Sequence, residues 1–527
     1  MAAIAPEAPW HPCTRDELIR LLGADSFAAA ARSLTSPPST TCIRVNTLHA
    51  QPQEVAAALC RALDCDTDVC SAHPALPEAL LIRSSGVCSI DVTPACGREV
   101  AVNRRCAEAV LRGAEVFVPG VVAISAGVEE NQLVAVTAVI EPLQTTTITF
   151  TRGTRLPAGD VTSGGRMLLG IGRTVLPPRA IFRAVDGIAV TMVCRRYEQR
   201  VTGEMLRSIL PPGSCMLQNL PSIVAAHALA PSPGSHVLDM CASPGGKTSV
   251  LAALMGNEGS IVALDVNFKK VDAIRALCTE MGCNIVQAAC MDATKAVLLP
   301  QPAGVGPAEQ EEPHDHGRAA GAAKIEYRRQ RKLAGAVLRR TRVRGERNSE
   351  LDESGEAIPA LPKMAPFAPE SFDYILCDAP CTALGLKPRL SQPVTAKELH
   401  MTASYQRALL HTAVALLRPG GALVFSTCTI SPLENESKYV QHCACMPPQL
   451  CADPCFPHSV GWLLSAYPCM KLVPHTPRVA GPGLAGPDSG NGPAWLTPEQ
   501  AAMVQRFRPE TDDTIGFFIA RFEKTIT

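Results

Sequence analysis

Aromatic side chains are scarce in this 527-residue chain, at 4%, with three Trp. Neither sign of charge is in excess: 49 Lys and Arg stand against 49 Asp and Glu. A uniformly basic coat is thereby excluded, and any site for a polyanion must be a local patch. No apolar run is long enough to span a bilayer, so no membrane partner is expected. The amino-terminal stretch carries Glu7, Asp16 and Glu17 and no apolar core of a secretory signal. It is not Arg-rich like a transit peptide either. What is plentiful is apolar residues, 46% of the chain, enough for several cores. The length suits roughly three or four domains. The 22 Cys are scattered, as reduced thiols in a cytoplasmic protein would be, and not clustered as in a small secreted scaffold.

One stretch organises the rest, His236-Val-Leu-Asp-Met-Cys-Ala-Ser-Pro-Gly-Gly-Lys-Thr248. Val237 and Leu238 end a short apolar strand that Asp239 closes. Pro244, Gly245 and Gly246 make a tight turn that lets backbone approach a ligand. A helix follows from Lys247 through Leu254. Strand, Gly-rich turn and helix N-terminus together hold nucleotide-like cofactors in doubly wound α/β folds. The next strand ends at Asp265, placed to accept hydrogen bonds from two ribose hydroxyls. The turn lacks the G-x-x-x-x-G-K-[ST] and G-x-G-x-x-G spacings of phosphate cradles. A cofactor with ribose but no phosphate fits, and S-adenosyl-L-methionine is the common one.

Residues 1–109 suggest a small α/β unit, with helices over Asp16–Leu22 and Glu54–Leu63 and a strand at Cys42–Asn46. Residues 110–202 change to short strands between Gly, Pro and Asn turns: Ala114–Val118, Leu133–Ile140, Thr145–Phe150 and Gly187–Val193. They read as a small β-rich barrel, with or without a ligand. Residues 203–527 then carry strands at Val237–Asp239, Ile261–Asp265, Ile285–Ala289, Tyr374–Asp378, Ala422–Ser426 and Ile515–Phe522. Helices lie between, for example Phe268–Met281 and Ala403–Leu417. That count and order are those of a class I methyltransferase (Rossmann-like) sheet. An insertion over about 301–366 holds a basic block from Lys324 to Arg347. It reads as a helix touching RNA phosphates, a solvated insertion or a localisation signal.

Two cysteines follow apolar strands, in Cys377-Asp-Ala-Pro-Cys381 and Ser426-Thr-Cys-Thr429. Both should emerge at the carboxyl edge beside the cofactor turn. Carbon-5 of a pyrimidine is not nucleophilic until a thiolate has added to carbon-6, and Cys suits such reversible addition. Asp378 is placed to bond the pyrimidine amino edge. A lone Cys at a strand end is ordinarily a buried thiol; two at adjacent strand ends of one cofactor fold argue for chemistry.

Asp239–Thr248, Asp378–Cys381 and Ser426–Ile430 resemble the motifs of the Sun-domain RNA cytosine-5 methyltransferases. Cys42–Leu48 resembles that family's Arg-Val-Asn segment. Leu111–Gly120 resembles the opening of a PUA domain, an RNA-binding module. Met216–Ser222, Asp292–Ala296 and Ile515–Phe522 resemble the branch that carries such a domain ahead of the catalytic unit, the sixth-member type. The resemblance implies an S-adenosylmethionine-dependent enzyme that forms 5-methylcytosine in the acceptor stem of transfer RNA gripped by the PUA unit; a monomer is expected. It implies Cys428 as nucleophile and Cys381 as the residue that helps release product. It implies cofactor contacts from Cys241, Ala242, Ser243, Pro244, Gly245, Gly246, Lys247, Asp265, Lys270, Asp292 and Asp378.

Departures from the family pattern stand at Thr382-Ala383, where Ser-Gly is usual, and at Ser243, where Ala is usual. Other classes fit less well. An amino-group methyltransferase would show an aromatic after the fourth strand, where Cys381 stands. A DNA cytosine methyltransferase uses the Cys after Pro as nucleophile, but Cys428 and the PUA-like module favour RNA. A non-catalytic RNA-binding protein that keeps the fold is the alternative from another class. Cys443, Cys445, Cys451, Cys455 and His458 match no familiar zinc spacing, so no metal is expected.

Overall fold

The computed structural model describes residues 8–65, 69–84, 86–140, 143, 150–157, 159, 166–198, 200–298, 366–436, 459–485 and 496–526. Three sheets organise them. The first begins with β1 (Thr40–Val45), β2 (Cys70–His73) and β3 (Leu76–Arg83), antiparallel in the order β1-β3-β2. Only β1 is legible in the sequence. β2 is short and half exposed, and its register shifts at Ala72/His73. The helix Pro52–Leu63 packs on this sheet through Val55 and Leu59.

The second sheet holds β4 (Glu99–Val102), β5 (Val116–Phe117), β6 (Val121–Ser125), β7 (Leu133–Ala138), β8 (Thr154–Leu156), β9 (Met167–Thr174) and β10 (Ile188–Arg195). Their order is β5-β10-β9-β7-β4-β6-β8. The expected strand over 114–118 shrinks to two residues because Pro119 has no N–H for a ladder, and Val118–Gly120 coils into a single 3-10 turn. The expected strand over 145–150 lies, except for Phe150, outside the described residues, as does the basic block 324–347. The sheet opens at Glu99, so a boundary at 109/110 cuts through the helix Arg104–Leu111, whose Ala107, Val110 and Leu111 belong to the core of this unit.

Residues 203–217 return to the first unit. The helix Gly203–Ile209 adds Leu206 to its core, and β11 (Cys215–Leu217) pairs with β1. The boundary at 202/203 therefore falls short of the third unit. That unit starts with the helix Leu220–Leu229 and is built on β12 (His236–Asp239), β13 (Ser260–Asp265), β14 (Val286–Cys290), β15 (Phe372–Asp378), β16 (Leu417–Thr427), β17 (Met470–Val473), β18 (Gln505–Phe507) and β19 (Phe517–Lys524). The order is β14-β13-β12-β15-β16-β19-β17, with β18 also on β19. β12 to β16 run parallel, and β19 runs antiparallel to its neighbours.

Parallel strands are covered on both faces and so read as unbroken apolar runs. Successive residues alternate between the two cores. Val237, Ile261 and Leu376 pack with the helices Leu220–Leu229, Gly246–Leu254 and Phe268–Glu280. Leu238, Leu264 and Ile375 pack with the helices Ala396–Leu416 and Ser459–Ala466. Each such side chain contributes about 1.5–3 kcal/mol by leaving water. The helix Ala396–Leu416 starts earlier than expected because Thr395 and Glu398 form a capping box at its entry. β19 starts later than expected, at Phe517, because Gly516 donates its N–H to Gly385 O instead of pairing in the sheet.

Two further contacts bear on the site. The helices Pro12–Leu22 and Ala24–Ser33 place Leu18, Phe27 and neighbouring Leu34 against Leu384, Ile430 and Leu433, on the loops that follow β15 and β16. Leu390, on the first of those loops, is fully buried in the core of the second unit.

Candidate active site

The turn after β12 is set by backbone. Gly245 has φ +105°, a left-handed value that L side chains rarely adopt, and it caps the helix Gly246–Leu254. Ala242 N–H donates to Leu264 O at 2.9 Å, which pins the turn to the neighbouring strand. A cleft of about 420 Å³ opens here. Cys241, Ala242, Ser243, Pro244, Gly246 and Lys247 line it, with Asp239, Asp378 and Gln218. Gly245 is buried behind the turn against Ile274 and does not line it.

Asp265 ends β13, Lys270 lies in the first turn of the helix that follows, and Asp292 stands just past β14; none of them is on the wall of this cleft. Asp265 is nearly buried, with Lys270 Nζ 3.7 Å from its Oδ2. Burial raises its carboxyl above the usual range against the pull of Lys270. Asp292 accepts from the N–H and hydroxyl of Thr294 and pairs with Lys295 at 2.9 Å. Asp239 is 1% exposed. Its Oδ2 accepts from Thr248 Oγ1 at 2.8 Å, while its Oδ1 is buried without a partner among the described residues. Burial pushes this carboxyl up to about 7. An orphaned acceptor, two carboxylates in the lining, Asp239 and Asp378, and a turn without the spacing of a phosphate cradle fit a cationic nucleoside such as S-adenosylmethionine, and the cleft has the size of an ordinary ligand pocket.

Lys247 ties this cleft to the thiols. Its Nζ donates to Asp378 Oδ2 at 2.7 Å, and Ser426 Oγ donates to Asp378 Oδ1 at 2.7 Å. Burial acts to lower Lys247, but Asp378 outweighs it, Cys428 adds in the same direction, and the ammonium is held above the usual lysine range. Asp378 and Ser426 are partners in the parallel register of β15 and β16, so the loops after them leave the same sheet edge. Cys381 and Cys428 meet there with 3.3 Å between sulfurs. The hydrogen bond with the Cys428 sulfur, then burial, pushes the Cys381 thiol well above its usual range.

Behind the sulfurs lies a buried polar scaffold that sequence reasoning missed. Glu434 is fully buried and accepts from Thr382 N–H at 2.9 Å and from Gln406 Nε2 at 3.1 Å. Asn435 accepts from Thr427 Oγ1 at 2.6 Å and donates to Thr429 O at 3.1 Å, so it grips the residues on both sides of Cys428. Glu436 takes a bidentate pair from Arg506 at 2.8 and 2.7 Å. Gly385 N–H donates to Cys428 O at 3.0 Å. The one sequence signal for this scaffold is a polar triplet, Glu434-Asn-Glu436, directly after apolar Leu433. The Arg-Val-Asn segment also acts from beneath. Arg44, 1% exposed, donates to Gln218 Oε1 and to Ser249 Oγ, each at 2.7 Å, bracing the cofactor helix.

The family of 16S rRNA methyltransferases RsmB/F matches residues 226–301 and 343–476. The rRNA (cytosine-C(5))-methyltransferase NOP2C of Arabidopsis thaliana is 35% identical, over 98% of this chain and 91% of its own. The chain belongs to the RsmB/F family of RNA cytosine-5 methyltransferases. A second member, the tRNA (cytosine(72)-C(5))-methyltransferase NSUN6 of Mus musculus, is 33% identical over 94% of this chain and 90% of its own. The crystal structure of NSun6 from Pyrococcus horikoshii with SFG shares the fold, with a TM-score of 0.65 at 24% identity over 99% of this chain and 100% of that one. As a member of this family the chain is an S-adenosylmethionine-dependent enzyme that acts on cytosine carbon-5 in RNA. The Thr382-Ala383 departure is accommodated: Thr382 keeps a hydroxyl, 3.2 Å from Thr429 Oγ1, and Ala383 adopts φ +55°.

Proposed function

We propose that this enzyme methylates a cytosine in the acceptor stem of transfer RNA, with Cys428 as nucleophile. The observation that carries the roles is the pair of sulfurs 3.3 Å apart, beside Lys247 and Asp378 at the cofactor cleft. Cys428 adds to carbon-6 as a thiolate, within the field of the Lys247 ammonium. Carbon-5 becomes enamine-like and takes the methyl group that bound S-adenosylmethionine supplies. A base then removes the carbon-5 proton, and the carbon–sulfur electron pair returns to Cys428. Cys381, kept as a thiol against the Cys428 sulfur, assists that elimination. Asp378, oriented by Lys247 and Ser426, holds the amino edge of the base. The target must leave its stack to reach both thiols, at a cost of a few kcal/mol.

The transfer-RNA reading is supported by the full-length likeness to the mouse enzyme, and the second unit is read as a PUA-type grip on that RNA. The likeness to the Arabidopsis enzyme favours ribosomal RNA as the competing substrate. A denaturing gel with labelled RNA of each kind tests both points. Cys428→Ala is expected to give no covalent protein–RNA species, and Cys381→Ala to accumulate one with transfer RNA and cofactor. The opposite pattern would reverse the roles of the cysteines. Methylation of ribosomal RNA fragments alone would discard the transfer-RNA assignment. No methyl transfer to either RNA would favour the non-catalytic, RNA-binding alternative.

A further inference from the structure

We infer that Glu434 is a positioning residue that sets the spacing of the two sulfurs by bridging the residues that follow each cysteine. The inference rests on the reading of Cys428 and Cys381 as the reacting thiols. Thr382 follows Cys381, and Thr429 follows Cys428. Glu434 accepts from the backbone N–H of Thr382 at 2.9 Å and from its hydroxyl. That hydroxyl also lies 3.2 Å from Thr429 Oγ1. One carboxylate therefore holds the first cysteine loop through Thr382 and the second through the Thr429 hydroxyl, which also lies against that of Thr382. Gln406 completes the bridge, donating to Glu434 Oε1 at 3.1 Å and to Pro380 O at 3.0 Å, while Ser459 Oγ holds the Gln406 amide at 3.1 Å.

Glu434 has no exposed surface, and no cation pairs with it among the described residues. Burial accordingly pushes its carboxyl up to about 7. Burying a carboxyl among neutral partners is costly, and an apolar side chain of the same size would avoid that cost. An apolar side chain could not accept from the Thr382 N–H, however, and a buried N–H left unpaired frees the loop to move. The carboxyl also acts on the chemistry beside it, because its charge raises the Cys381 thiol. The bridge explains how the altered Thr382-Ala383 turn keeps the sulfurs in contact: the Thr382 hydroxyl occupies the link between the loops.

Thiol cross-linking in the full-length protein reads the spacing directly. Diamide oxidises two neighbouring thiols to a disulfide and is itself reduced to the hydrazine. Intact mass then reports the loss of two hydrogens, with Cys428→Ala as the blank. Glu434→Ala and Thr382→Val are each expected to slow this cross-link about tenfold and methyl transfer about 100-fold. S-adenosylmethionine affinity should stay near wild type, the melting temperature should fall for Glu434→Ala, which leaves the buried Thr382 N–H unpaired, and Thr382→Ser should restore both rates. Cross-linking at the wild-type rate in both variants overturns the inference, as does a parallel loss of cofactor affinity. If Glu434→Ala fails to fold, Thr382→Val decides alone. The cross-link needs neither RNA nor cofactor, so its failure is distinct from a failure of the assigned cysteine roles, which the covalent-adduct gel reports.

Discussion

Gly385 is where a single methyl group should do the most damage to this site. A Cβ there would stand 2.2 Å from Gly516 O, 2.7 Å from Gly516 C and 2.9 Å from Cys428 O. All three are backbone atoms, so no side chain can swing aside. Gly385 also gives its N–H to Cys428 O at 3.0 Å and accepts from Gly516 N–H at 2.8 Å. Overpacking costs about 1–3 kcal/mol, and each backbone hydrogen bond lost adds about 0.5–1.5 kcal/mol. Gly385→Ala should therefore destabilise the third unit by about 2–6 kcal/mol, enough to lower its melting transition by about 4 °C or more. Methyl transfer should fall further, because the displaced segment after β16 carries Cys428. Gly187→Ala is the control. It has positive φ, +106°, but nothing within 4 Å of the new Cβ, so only the backbone cost of about 1 kcal/mol applies. Ala383→Gly should go the other way, gaining up to about 1 kcal/mol by relieving φ +55°. Differential scanning calorimetry and turnover on the same preparations give the answer. A Gly385→Ala protein that melts and turns over like Gly187→Ala would refute the reasoning.

Three other outcomes are expected. Asp265→Ala should weaken S-adenosylmethionine binding by about 1–3 kcal/mol without changing RNA affinity, and calorimetry with unaltered cofactor affinity would remove Asp265 from the site. Asp239 titrates at about 7 in the fold against an ordinary 3.8. Between those values the folded chain binds more protons than the unfolded one, so stability without cofactor should fall as pH rises through that window. Asp239→Asn should flatten that slope, and an unchanged slope in thermal melts would count against the shift. Arg112, on the second unit where it meets the cleft, is a candidate phosphate contact, and Arg112→Ala should lower RNA affinity and reduce the salt slope of binding by about one, with cofactor affinity measured alongside because Arg112 also lines the cleft. A slope that does not move would take Arg112 off the phosphate path.

The candidate site was legible where its residues stand in short local patterns. Asp239 to Lys247, Asp378 with Cys381, and Cys428 are each announced by an apolar strand that ends in a polar or thiol-bearing turn, and the strands meet in register. The supports were not legible, because they are long-range. Glu434 grips Thr382, and Arg506 grips Glu436, across separations that no window of periodicity spans. The charged residues among these supports are buried, against the ordinary preference for surface, so composition points away from them. The fold follows the same rule. The parallel sheet was readable as apolar runs. The first sheet was not, because β11 completes it from beyond the entire second unit. For the same reason the expected boundaries at 109/110 and 202/203 miss the observed breaks in packing.

Those displaced boundaries change which experiment can test the RNA grip. Leu390 lies in the core of the second unit, its N–H donates to Glu108 Oε1 at 3.0 Å, and neighbouring Arg389 N–H donates to Leu34 O at 2.7 Å. The loop that starts at Cys381 is thus fastened to both the second unit and the amino-terminal helices. Deleting residues 110–202 would remove the end of the helix Arg104–Leu111, leave β4 without its sheet and bare Leu390, whose burial is worth about 1.5–3 kcal/mol. Activity lost on such a deletion would report a slackened Cys381 loop as much as a lost RNA contact. Arg112→Ala separates the two. Arg112 is an exposed residue, so its truncation leaves the cores intact, and melting measured alongside checks that the anchor at nearby Glu108 still holds. Affinity that falls for Arg112→Ala while the adduct forms normally at saturating RNA assigns the second unit to grip. Adduct formation that stays slow at saturation would instead assign the loop anchored at Leu390 to the chemistry.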